Sequence, residues 1–348
     1  MRRYFYSLMT DQVNDPLSTL MKKILSIFTY PYHLVLGVRS FLWGTGLCRR
    51  RKLPLKVISV GNITWGGTGK TPFVKWLIQE LRSRGKKAAI LTRGYQSLAP
   101  EVSDEALELR SAFPDIPVWI GRDRVALAEK ALSENFDVVV LDDGFQYWRL
   151  DRDLDVVLID ATNPFGNGRV LPRGILREAP KALRRADLLV LTRADGEEEN
   201  INRLERFLRG CAPQVPLLFS NHRPRRFLEA QTGETVSLGQ VRQEKVVAFC
   251  GIGNPRSFEH LLERSGIRPL RCISFMDHHR YQKGDLEKMD KTAASLGATV
   301  LLTTEKDLER LRAISLFPAT RLLVLEVELV MTKNEDELLR RLDTLFPR

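Results

Sequence analysis

Cysteine is scarce in this sequence, which contains four in 348 residues. None of the four forms a C-x-x-C pair, because Cys48, Cys211, Cys250 and Cys272 are far apart in the chain. Disulfide frameworks and structural zinc sites both need cysteines at close, regular spacing. The sequence therefore excludes both kinds of scaffold and predicts reduced thiols in a cytosolic setting.

Long uncharged segments are also missing. The longest run without Asp, Glu, Lys or Arg covers residues 24–38, and Pro31 and His33 interrupt it. A transmembrane helix needs about 20 mostly apolar residues. The sequence therefore predicts no spanning helix.

The N-terminal region is nevertheless strongly apolar. Residues 17–48 are rich in Leu, Ile, Phe, Tyr and Trp, and a basic run follows at 49–52. Such a segment can lie in the membrane interface, with its rings among the acyl chains and its basic residues on anionic headgroups. We predict an N-terminal membrane-surface helix, and the alternative is an ordinary helix packed on the protein.

Acidic residues are outnumbered by basic ones. The chain has 54 Lys and Arg against 43 Asp and Glu, which gives a net charge of +11. Such an excess predicts an anionic partner: nucleic acid, a membrane surface or a phosphorylated substrate. The sequence has no nucleic-acid-binding signature, so we predict no nucleic acid partner, and nothing in it predicts an obligate protein partner.

The most specific pattern lies in residues 56–81. It begins with the apolar, β-branched run KVISV, which suits a buried strand. A glycine-rich turn follows, and Pro72 stands where a first helical residue would. Beyond it, apolar residues recur at i, i+3, i+4 and i+7, the spacing of one buried helix face: Val74, Leu77, Ile78 and Leu81.

A strand, a glycine-rich turn, a Lys-Thr pair and a helix together predict a loop that binds nucleotide phosphates. Backbone N–H groups would face the anion, Lys70 would reach the β- and γ-phosphates, and the Thr71 hydroxyl would ligate Mg²⁺. Thr64 stands where the strict pattern has glycine, so a plain glycine turn is the alternative. The residues predicted to bind the nucleotide are Thr64, Gly66, Gly67, Thr68, Gly69, Lys70 and Thr71.

A second apolar strand is predicted to end in acid. Residues 137–141 read DVVVL, and Asp142 and Asp143 follow directly. An apolar strand that delivers Asp to the sheet edge of a phosphate loop is typical of sites that hold Mg²⁺. We predict a metal role for both carboxylates, and the alternative is a simple Asp-Asp-Gly turn.

Predicted strands and helices alternate along most of the chain. This order predicts an α/β fold with a P-loop-type, doubly wound, mostly parallel sheet, its ligand at the carboxyl ends of the strands, and a second, smaller α/β domain. Residues 97–116 are acidic and predicted to be irregular. The predicted regions are an N-terminal membrane-associating segment at 1–52, a nucleotide-binding domain at 53–220, a linker or small ribbon at 221–240 and a C-terminal α/β domain at 241–348.

Two loops carry less specific signals. The loop 165–178 contains Arg169, Arg173 and Arg177, which could meet phosphate oxygens, and its alternative is a solvated basic loop. Residues 192–195 read TRAD and weakly resemble the T-K-x-D motif with which GTPases recognise guanine.

A histidine pair, His278-His279, follows Asp277 beyond a predicted strand. A zinc site would need further ligands at helical spacing, and the sequence has none there. A proton-handling or orienting role suits these histidines better.

Seven motifs occur between about residues 57 and 307 in the order of one enzyme family: GNITWGGTGKTP, LTRGYQ, VVLDDGFQ, FGNGRVLPRGILRE, FCGIGNPRSF, FMDHHRY and TTEKD. With them, the chain resembles the tetraacyldisaccharide 4'-kinases of lipid A synthesis. The resemblance implies phosphorylation of the 4'-hydroxyl of a tetraacyl disaccharide 1-phosphate, with ATP and Mg²⁺. It also implies peripheral, monotopic attachment to the anionic cytoplasmic face of the inner membrane in a Gram-negative bacterium.

The resemblance also implies roles for the residues at matching motif positions. Lys70 and Thr71 match the phosphate-loop pair, and Lys70 is expected to take part in catalysis. Asp142, Asp143 and Glu178 match the family's acidic residues near the metal.

The expected catalytic pair comes from two other motifs. The family's base lies in G-D-E-P, which corresponds to residues 103–106, so Asp104 keeps the acid while Ser103 and Ala106 depart from the pattern. His278 matches the family's D-H histidine. The substrate-binding residues are expected to be Arg124, Arg173 and Arg177.

Two other function classes fit parts of the sequence. A membrane-associated P-loop GTPase or ATPase switch would hydrolyse nucleotide without a lipid acceptor, and residues 192–195 are its best support. A non-catalytic basic adaptor on an anionic membrane would lose nothing when Lys70 is replaced by Ala. For a kinase we expect hinge closure of the two domains, because an open cleft would let water compete for the phosphoryl group.

Overall fold

The computed structural model describes residues 2–94 and 104–347, so the motif residues Tyr95, Gln96 and Ser103 lie outside it. The first elements in chain order are α1 (Arg2–Met9), α2 (Pro16–Gly44), β1 (Lys56–Gly61), α3 (Lys70–Ser83), β2 (Ala88–Thr92), α4 (Asp104–Ala112), β3 (Val118–Ile120), α5 (Arg124–Ser133), β4 (Val138–Asp142), β5 (Leu154–Asp160), β6 (Leu188–Thr192) and α6 (Glu198–Cys211). The later ones are β7 (Leu217–Glu229), β8 (Thr235–Val236), α7 (Leu238–Gln243), β9 (Val246–Cys250), α8 (Pro255–Arg264), β10 (Arg271–Ser274), α9 (Lys283–Leu296), β11 (Val300–Thr304), α10 (Glu305–Ala313), β12 (Arg321–Lys333) and α11 (Glu335–Leu345). A 3₁₀ helix, Pro180–Arg185, precedes β6.

The chain folds as two compact units. The first comprises Met1–Arg93, Ile116–Asn221 and Met331–Arg348, and the second comprises Gly94–Asp115 and His222–Val330. The predicted boundaries differ from this division in four places. Residues 1–52 and α11 belong to the first unit, and α4 and the predicted linker from His222 onwards belong to the second.

Contacts within the first unit explain the position of α11. Leu338 and Leu342 are fully buried, and Asp343 pairs with Arg84 of the same unit at 3.0 Å. The end of the chain therefore completes the first unit, although the sequence order suggests the second.

The sheet of the first unit has the strand order β7-β6-β5-β1-β4-β2-β3. Every neighbouring pair in this series is parallel. β1 lies between β5 and β4, so the order of the strands reverses beside it. In open α/β sheets, ligands bind at such a switch point, beyond the carboxyl ends of the strands. The predicted fold class is confirmed, and the glycine-rich loop leaves β1 at the expected edge.

The helix after this loop buries the predicted face. Val74, Leu77, Ile78 and Leu81 are all fully buried, and each such side chain is worth roughly 1.5–3 kcal/mol relative to exposure. The helix begins earlier than predicted, so Pro72 lies inside its first turn. Its missing N–H costs no hydrogen bond there, because the first four N–H groups of a helix have no intrahelical acceptor.

The sheet of the second unit has the order β10-β9-β11-β12, with all neighbours parallel. β9 is buried on both faces: Val246 and Ala248 contribute to one apolar cluster, and Val247 and Phe249 contribute to another. Burial on both faces is typical of a parallel strand covered by helices. Because β10, β9 and β11 are parallel neighbours, their carboxyl ends lie at one edge of the sheet. We call this edge, with Gly251, Asp277, His278 and Thr304 at or just after the strand ends, the polar edge.

Two local predictions need correction. The stretch 97–116 contains α4, so its description as irregular is wrong there. α4 is favoured by acidic residues in its first turn and Arg110 in its last, which complement the helix dipole, and it buries Ala106 and Leu109. Residues 221–240 contain the small ribbon and not a plain linker, because β7 continues to Glu229 and β8 pairs antiparallel with it.

The apolar N-terminal region forms α2, a helix of 29 residues. Asp15 caps it by accepting the Ser18 N–H at 2.9 Å, and Pro16 occupies its first turn. Among the helices that the structure describes, α2 included, none has the length and apolar character needed to cross a bilayer.

Candidate active site

The glycine-rich loop runs from Gly61 at the end of β1 to Lys70 at the start of α3. Gly61 has no room for a side chain, since a Cβ there would lie 2.6 Å from the Cβ of Phe145. Gly66 and Gly69 have φ of +137° and +84°, in the region that favours glycine. Gly69 is the N-cap of α3, so the first N–H groups of the helix face the end of the loop, where an anion would bind.

The loop also supplies hydroxyl and ammonium groups. The Thr68 hydroxyl is buried and has no hydrogen-bond partner within the described part of the chain. Thr71 is buried in the first turn of α3, and Lys70 Nζ lies 3.5 Å from Asp143 Oδ1. These donors and the helix N-terminus fit the phosphate groups of a nucleotide.

Asp143 follows β4 with a φ of +56° and meets two cations. One of its oxygens lies 2.7 Å from Arg177 Nη1, and the other lies near Lys70. Burial opposes ionisation, but the charges of Lys70 and Arg177 outweigh it and hold the pKa of Asp143 well below its usual range. The residue is therefore an anion at any physiological pH.

The basic loop 165–178 is hydrogen-bonded to the phosphate loop. The Trp65 N–H donates to the Ile175 carbonyl at 2.7 Å, and the Arg177 N–H donates to the Ile63 carbonyl at 2.7 Å. These bonds fix the end of the basic loop, with its Arg-Glu pair, beside the loop that follows β1.

Glu178 is buried at this junction. It accepts hydrogen bonds from Arg185 at 2.8 Å and from Gln146 Nε2 at 3.1 Å. Among the residues that the structure describes, no three carboxylate, histidine or cysteine side chains are gathered closely enough to form a metal site on their own. Mg²⁺ usually takes one or two carboxylates together with waters and substrate phosphates. The sequence predicts Thr71, Asp142, Asp143 and Glu178 as the oxygen donors of such a shared site. In this structure Asp143 is paired with Lys70 and Arg177, and Glu178 accepts from Arg185 and Gln146.

The three predicted substrate-binding arginines have different surroundings. Arg124 is buried, with its guanidinium 4.7 Å from the centre of the Tyr147 ring. Arg177 donates to Asp143, as described above. Arg173 donates to Asp11 at 2.6 Å and to a carbonyl of α1 at 3.3 Å. The structure thus brings Arg177 to the candidate site, whereas Arg173 attaches the N-terminal helices.

The T-R-A-D stretch, residues 192–195, is hydrogen-bonded to the phosphate loop. Thr192 Oγ1 donates to the Thr68 carbonyl at 2.9 Å, and Arg193 Nη1 donates to the Gly67 carbonyl at 3.0 Å. Arg193 also pairs with Asp160 at 2.5 Å. Thr192 and Arg193 thus have a structural role that does not involve guanine recognition. The sequence did not predict this supporting role for Asp160, which ends β5 beside β1, or for Arg193, which follows β6 beside β5.

In the second unit, Asp104 and His278 are in contact. His278 Nδ1 lies 2.8 Å from Asp104 Oδ2, and His278 has a φ of +58°, which is uncommon for a residue with a side chain. Burial opposes ionisation of Asp104, but its hydrogen bond with His278 and the charge of Arg310 hold its pKa well below the usual range. Burial likewise opposes the charged form of His278, yet Asp104 and the neighbouring acids raise the pKa of the imidazole.

More charges surround this pair. Lys306 Nζ lies 3.6 Å from Glu105 Oε1, and His278 Nε2 lies 3.7 Å from Asp277 Oδ2. Lys306 is held in the charged form, because burial lowers its pKa less than Glu105 and the other nearby acids raise it. The second unit therefore presents an ionised carboxylate and a histidine with a raised pKa within a ring of charged side chains.

A parallel sheet, a glycine-rich loop with Lys-Thr at the start of a helix, and acid at the end of the neighbouring strand define a P-loop nucleotide-binding protein. The sequence model described as "Tetraacyldisaccharide-1-P 4'-kinase" matches residues 21–346. The chain therefore belongs to the tetraacyldisaccharide 4'-kinase family, which confirms the resemblance found in the motifs.

Individual proteins support this membership. The "Tetraacyldisaccharide 4'-kinase" of Anaeromyxobacter dehalogenans is 36% identical, over 93% of this chain and 90% of that protein. The relative of the same name from Syntrophobacter fumaroxidans is 39% identical, over 76% of this chain and 73% of that protein. The crystal structure of the "apo" form of LpxK from Aquifex aeolicus in complex with ATP aligns with a TM-score of 0.73 and 29% identity, over 94% of this chain and 99% of that chain.

Proposed function

We propose that this protein transfers the γ-phosphoryl group of ATP to the 4'-hydroxyl of a tetraacyl disaccharide 1-phosphate, with Mg²⁺. The observation that carries the proposal is the contact of 2.8 Å between His278 Nδ1 and Asp104 Oδ2. A phosphate loop serves hydrolases and transferases alike, whereas a carboxylate oriented by histidine suits an acceptor hydroxyl. Membership of the family supports the identity of that acceptor.

The first unit holds the donor. Backbone N–H groups at the start of α3 and the Lys70 ammonium bind the β- and γ-phosphate oxygens, where they offset the charge of the transferring group. Bound Mg²⁺ supplies further charge neutralisation on these oxygens. The residues that would hold it are Thr71, Asp142, Asp143 and Glu178.

The second unit handles the acceptor proton. Asp104 orients the hydroxyl and receives its proton as the sugar oxygen bonds to phosphorus. A carboxylate of low pKa is a weak base, which suits a loose transition state because the hydroxyl needs little activation before the bond forms. His278 keeps the carboxylate oriented through Nδ1.

Arginines supply further contacts to phosphate. Arg124 and Arg177 are proposed to meet substrate phosphate oxygens, since both lie in the first unit close to the acidic pair after β4. Arg173 contacts Leu8 through Nη1 and Asp11 through Nη2, so a contact with substrate phosphate would fall to its remaining N–H groups.

We also propose that α2 attaches the protein to the cytoplasmic face of the inner membrane. Large apolar side chains are exposed along its whole length: Leu17, Leu20, Ile24, Ile27, Phe28, Tyr30, Leu34, Val35, Val38 and Phe41. An exposed apolar helix flanked by basic residues suits an anionic bilayer surface, where a lipid acceptor is found.

The test is ADP release measured with and without the tetraacyl disaccharide 1-phosphate. The kinase produces ADP only as fast as phosphate appears on the acceptor, and Lys70→Ala is expected to lower that rate about 10²–10³-fold. Asp104→Ala is expected to lower it about 10²–10⁴-fold. ADP and inorganic phosphate released at one rate regardless of acceptor would favour the nucleotide switch, and full activity of Lys70→Ala would favour the adaptor.

A further inference from the structure

One guanidinium in the second unit contacts the expected base directly. Arg310 lies on α10, which begins at Thr304 where β11 ends, and its side chain is only 6% exposed. Its Nε donates to Asp104 Oδ2 at 2.7 Å. The sequence gives no sign of this contact, because the two residues are 206 positions apart.

The other end of the guanidinium is fixed by the polar edge of the sheet. Arg310 Nη1 donates to the Gly251 carbonyl at 2.6 Å and to Asp307 Oδ1 at 3.0 Å. Asp307 is fully buried and also accepts from the Gly251 N–H, from the Tyr281 hydroxyl at 2.9 Å and from the Thr304 hydroxyl at 2.7 Å. A planar fork with donors on two sides is thereby held in one orientation, which a flexible ammonium could not reproduce.

Both described donors to Asp104 meet the same oxygen. Arg310 Nε and His278 Nδ1 lie 2.7 Å and 2.8 Å from Oδ2. Within the described part of the chain, Oδ1 receives no hydrogen bond that would compete with a substrate hydroxyl. The described contacts therefore hold the carboxylate by one oxygen, Oδ2.

We infer that Arg310 is a positioning residue for the phosphoryl transfer, which locks Asp104 Oδ2 beside His278 so that Oδ1 meets the acceptor hydroxyl. The inference rests on the proposed function, because it takes Asp104 as the group that receives the acceptor proton. In that step the O–H bond of the acceptor breaks, its oxygen bonds to the γ-phosphorus, the bond to the β-phosphate oxygen breaks, and the proton moves to Oδ1. Asp307 acts in turn by holding Arg310.

The charge of Arg310 has a second effect. Asp104 faces His278 and Asp277 from the loop after β10, Lys306 and Arg310 from α10, and Glu105 on its own helix. Arg310 favours the ionised form of Asp104 and opposes protonation of His278. Loss of its charge should therefore raise both pKa values, so the acidic limb of the pH–rate profile, which protonation of Asp104 sets, moves upward.

Three variants separate geometry from charge. Arg310→Met removes both, Arg310→Lys keeps the charge but loses the fork, and Arg312→Met is the matched control, because Arg312 is an exposed partner of Glu309 on the same helix. For Arg310→Met we expect kcat to fall about 10²-fold and the acidic limb to rise by roughly one pH unit or more. For Arg310→Lys we expect about a 10-fold loss of kcat and a limb close to that of the unaltered protein.

ATP affinity measured by direct titration should stay within about twofold in all three variants, because Arg310 serves the acceptor. Arg310→Met with unchanged kcat and an unmoved limb would overturn the inference. So would a loss of kcat that merely parallels a lower melting temperature and leaves the limb in place.

A second readout does not depend on the proposed reaction. The pKa of His278 can be followed by NMR of its imidazole signals, assigned with His278→Gln, in the unaltered protein and in Arg310→Met. Removing the guanidinium should raise this pKa, and an unchanged or lower value would refute the electrostatic part. If the unaltered protein transfers no phosphate to the disaccharide, the proposed function fails and the positioning role fails with it. The NMR titration still tests, independently of the reaction, whether the charge of Arg310 acts on His278.

Discussion

His278 combines a left-handed backbone with a charged contact. Its φ of +58° places it where few residues with side chains lie, and its N–H donates to the Gly251 carbonyl at 3.2 Å. This backbone turns the ring so that Nδ1 meets Asp104. The Gly251 carbonyl also accepts from Arg310 Nη1, so one backbone group holds both residues that contact Asp104.

The raised pKa of His278 predicts a stability that depends on pH. The folded protein binds the imidazole proton more tightly than the unfolded chain does. The stabilisation is therefore fully present below the unfolded pKa of about 6.5 and is lost as the pH rises through the folded value. His278→Asn tolerates the left-handed backbone but carries no charge.

We expect the melting temperature of His278→Asn to lie furthest below that of the unaltered protein at a pH below about 6.5, with the gap closing as the pH rises through the folded pKa of His278. Thermal unfolding at a series of pH values measures it, and His260→Asn on α8 provides the control. A gap that stays constant with pH would mean that the contact does not involve the imidazolium.

Thr192 permits a second test at the scale of single atoms. Its hydroxyl donates to the Thr68 carbonyl at 2.9 Å, and Thr192→Val keeps the shape while removing the donor. A lost hydrogen bond of this kind costs about 1 kcal/mol, so we expect the KM for ATP to rise about fivefold with kcat little changed. The control is Thr292→Val, since Thr292 is a half-buried residue of α9 whose hydroxyl donates to the Lys288 carbonyl of the same helix. An unchanged KM would show that the phosphate loop keeps its shape without this bond.

At the scale of elements, α2 connects a surface to the candidate metal site. The Tyr32 hydroxyl donates to the Arg177 carbonyl at 2.9 Å, and Arg39 donates to the Gln146 carbonyl. Arg177 and Gln146 in turn contact Asp143 and Glu178. The helix with the exposed apolar side chains is thus hydrogen-bonded to both segments that carry the metal-site carboxylates.

The exposed face of α2 predicts vesicle binding. Leu34 is 68% exposed, and burying a leucine is worth roughly 1.5–3 kcal/mol, so Leu34→Glu should weaken binding to phosphatidylglycerol vesicles by at least about tenfold. Leu270→Glu, on an exposed leucine of the second unit, should have little effect. Flotation with such vesicles measures both, and equal binding by the two variants would contradict membrane attachment through α2.

Elements differed in how far sequence alone could predict them. Strand, glycine loop and helix at residues 56–81 are specified by local pattern, so their position and burial were predicted well. α4 was missed, because its buried Ala106 and Leu109 give only a short apolar stripe in acidic surroundings. β7 was predicted too short, since its second half carries Arg and Pro residues that resemble a loop.

At the scale of the whole molecule, the contacts that the sequence could not supply are long-range. His278 and Asp104 are 174 positions apart, and their pairing was expected only from family resemblance. Arg310 had no such support. The parallel strands of the second unit bring His278 and Arg310 to one edge because β9, β10 and β11 end side by side. Asp104 joins them from α4, which packs against α10, and no local window of sequence records either arrangement.

The account rests on the claim that phosphate reaches the sugar oxygen, and ³¹P NMR of the acceptor tests it most directly. After incubation of the protein with Mg-ATP and the tetraacyl disaccharide 1-phosphate, the account predicts a second phosphomonoester resonance coupled to the proton on C4', in the same amount as the ADP formed. A spectrum with only the original anomeric phosphate, beside ADP and inorganic phosphate, would contradict it.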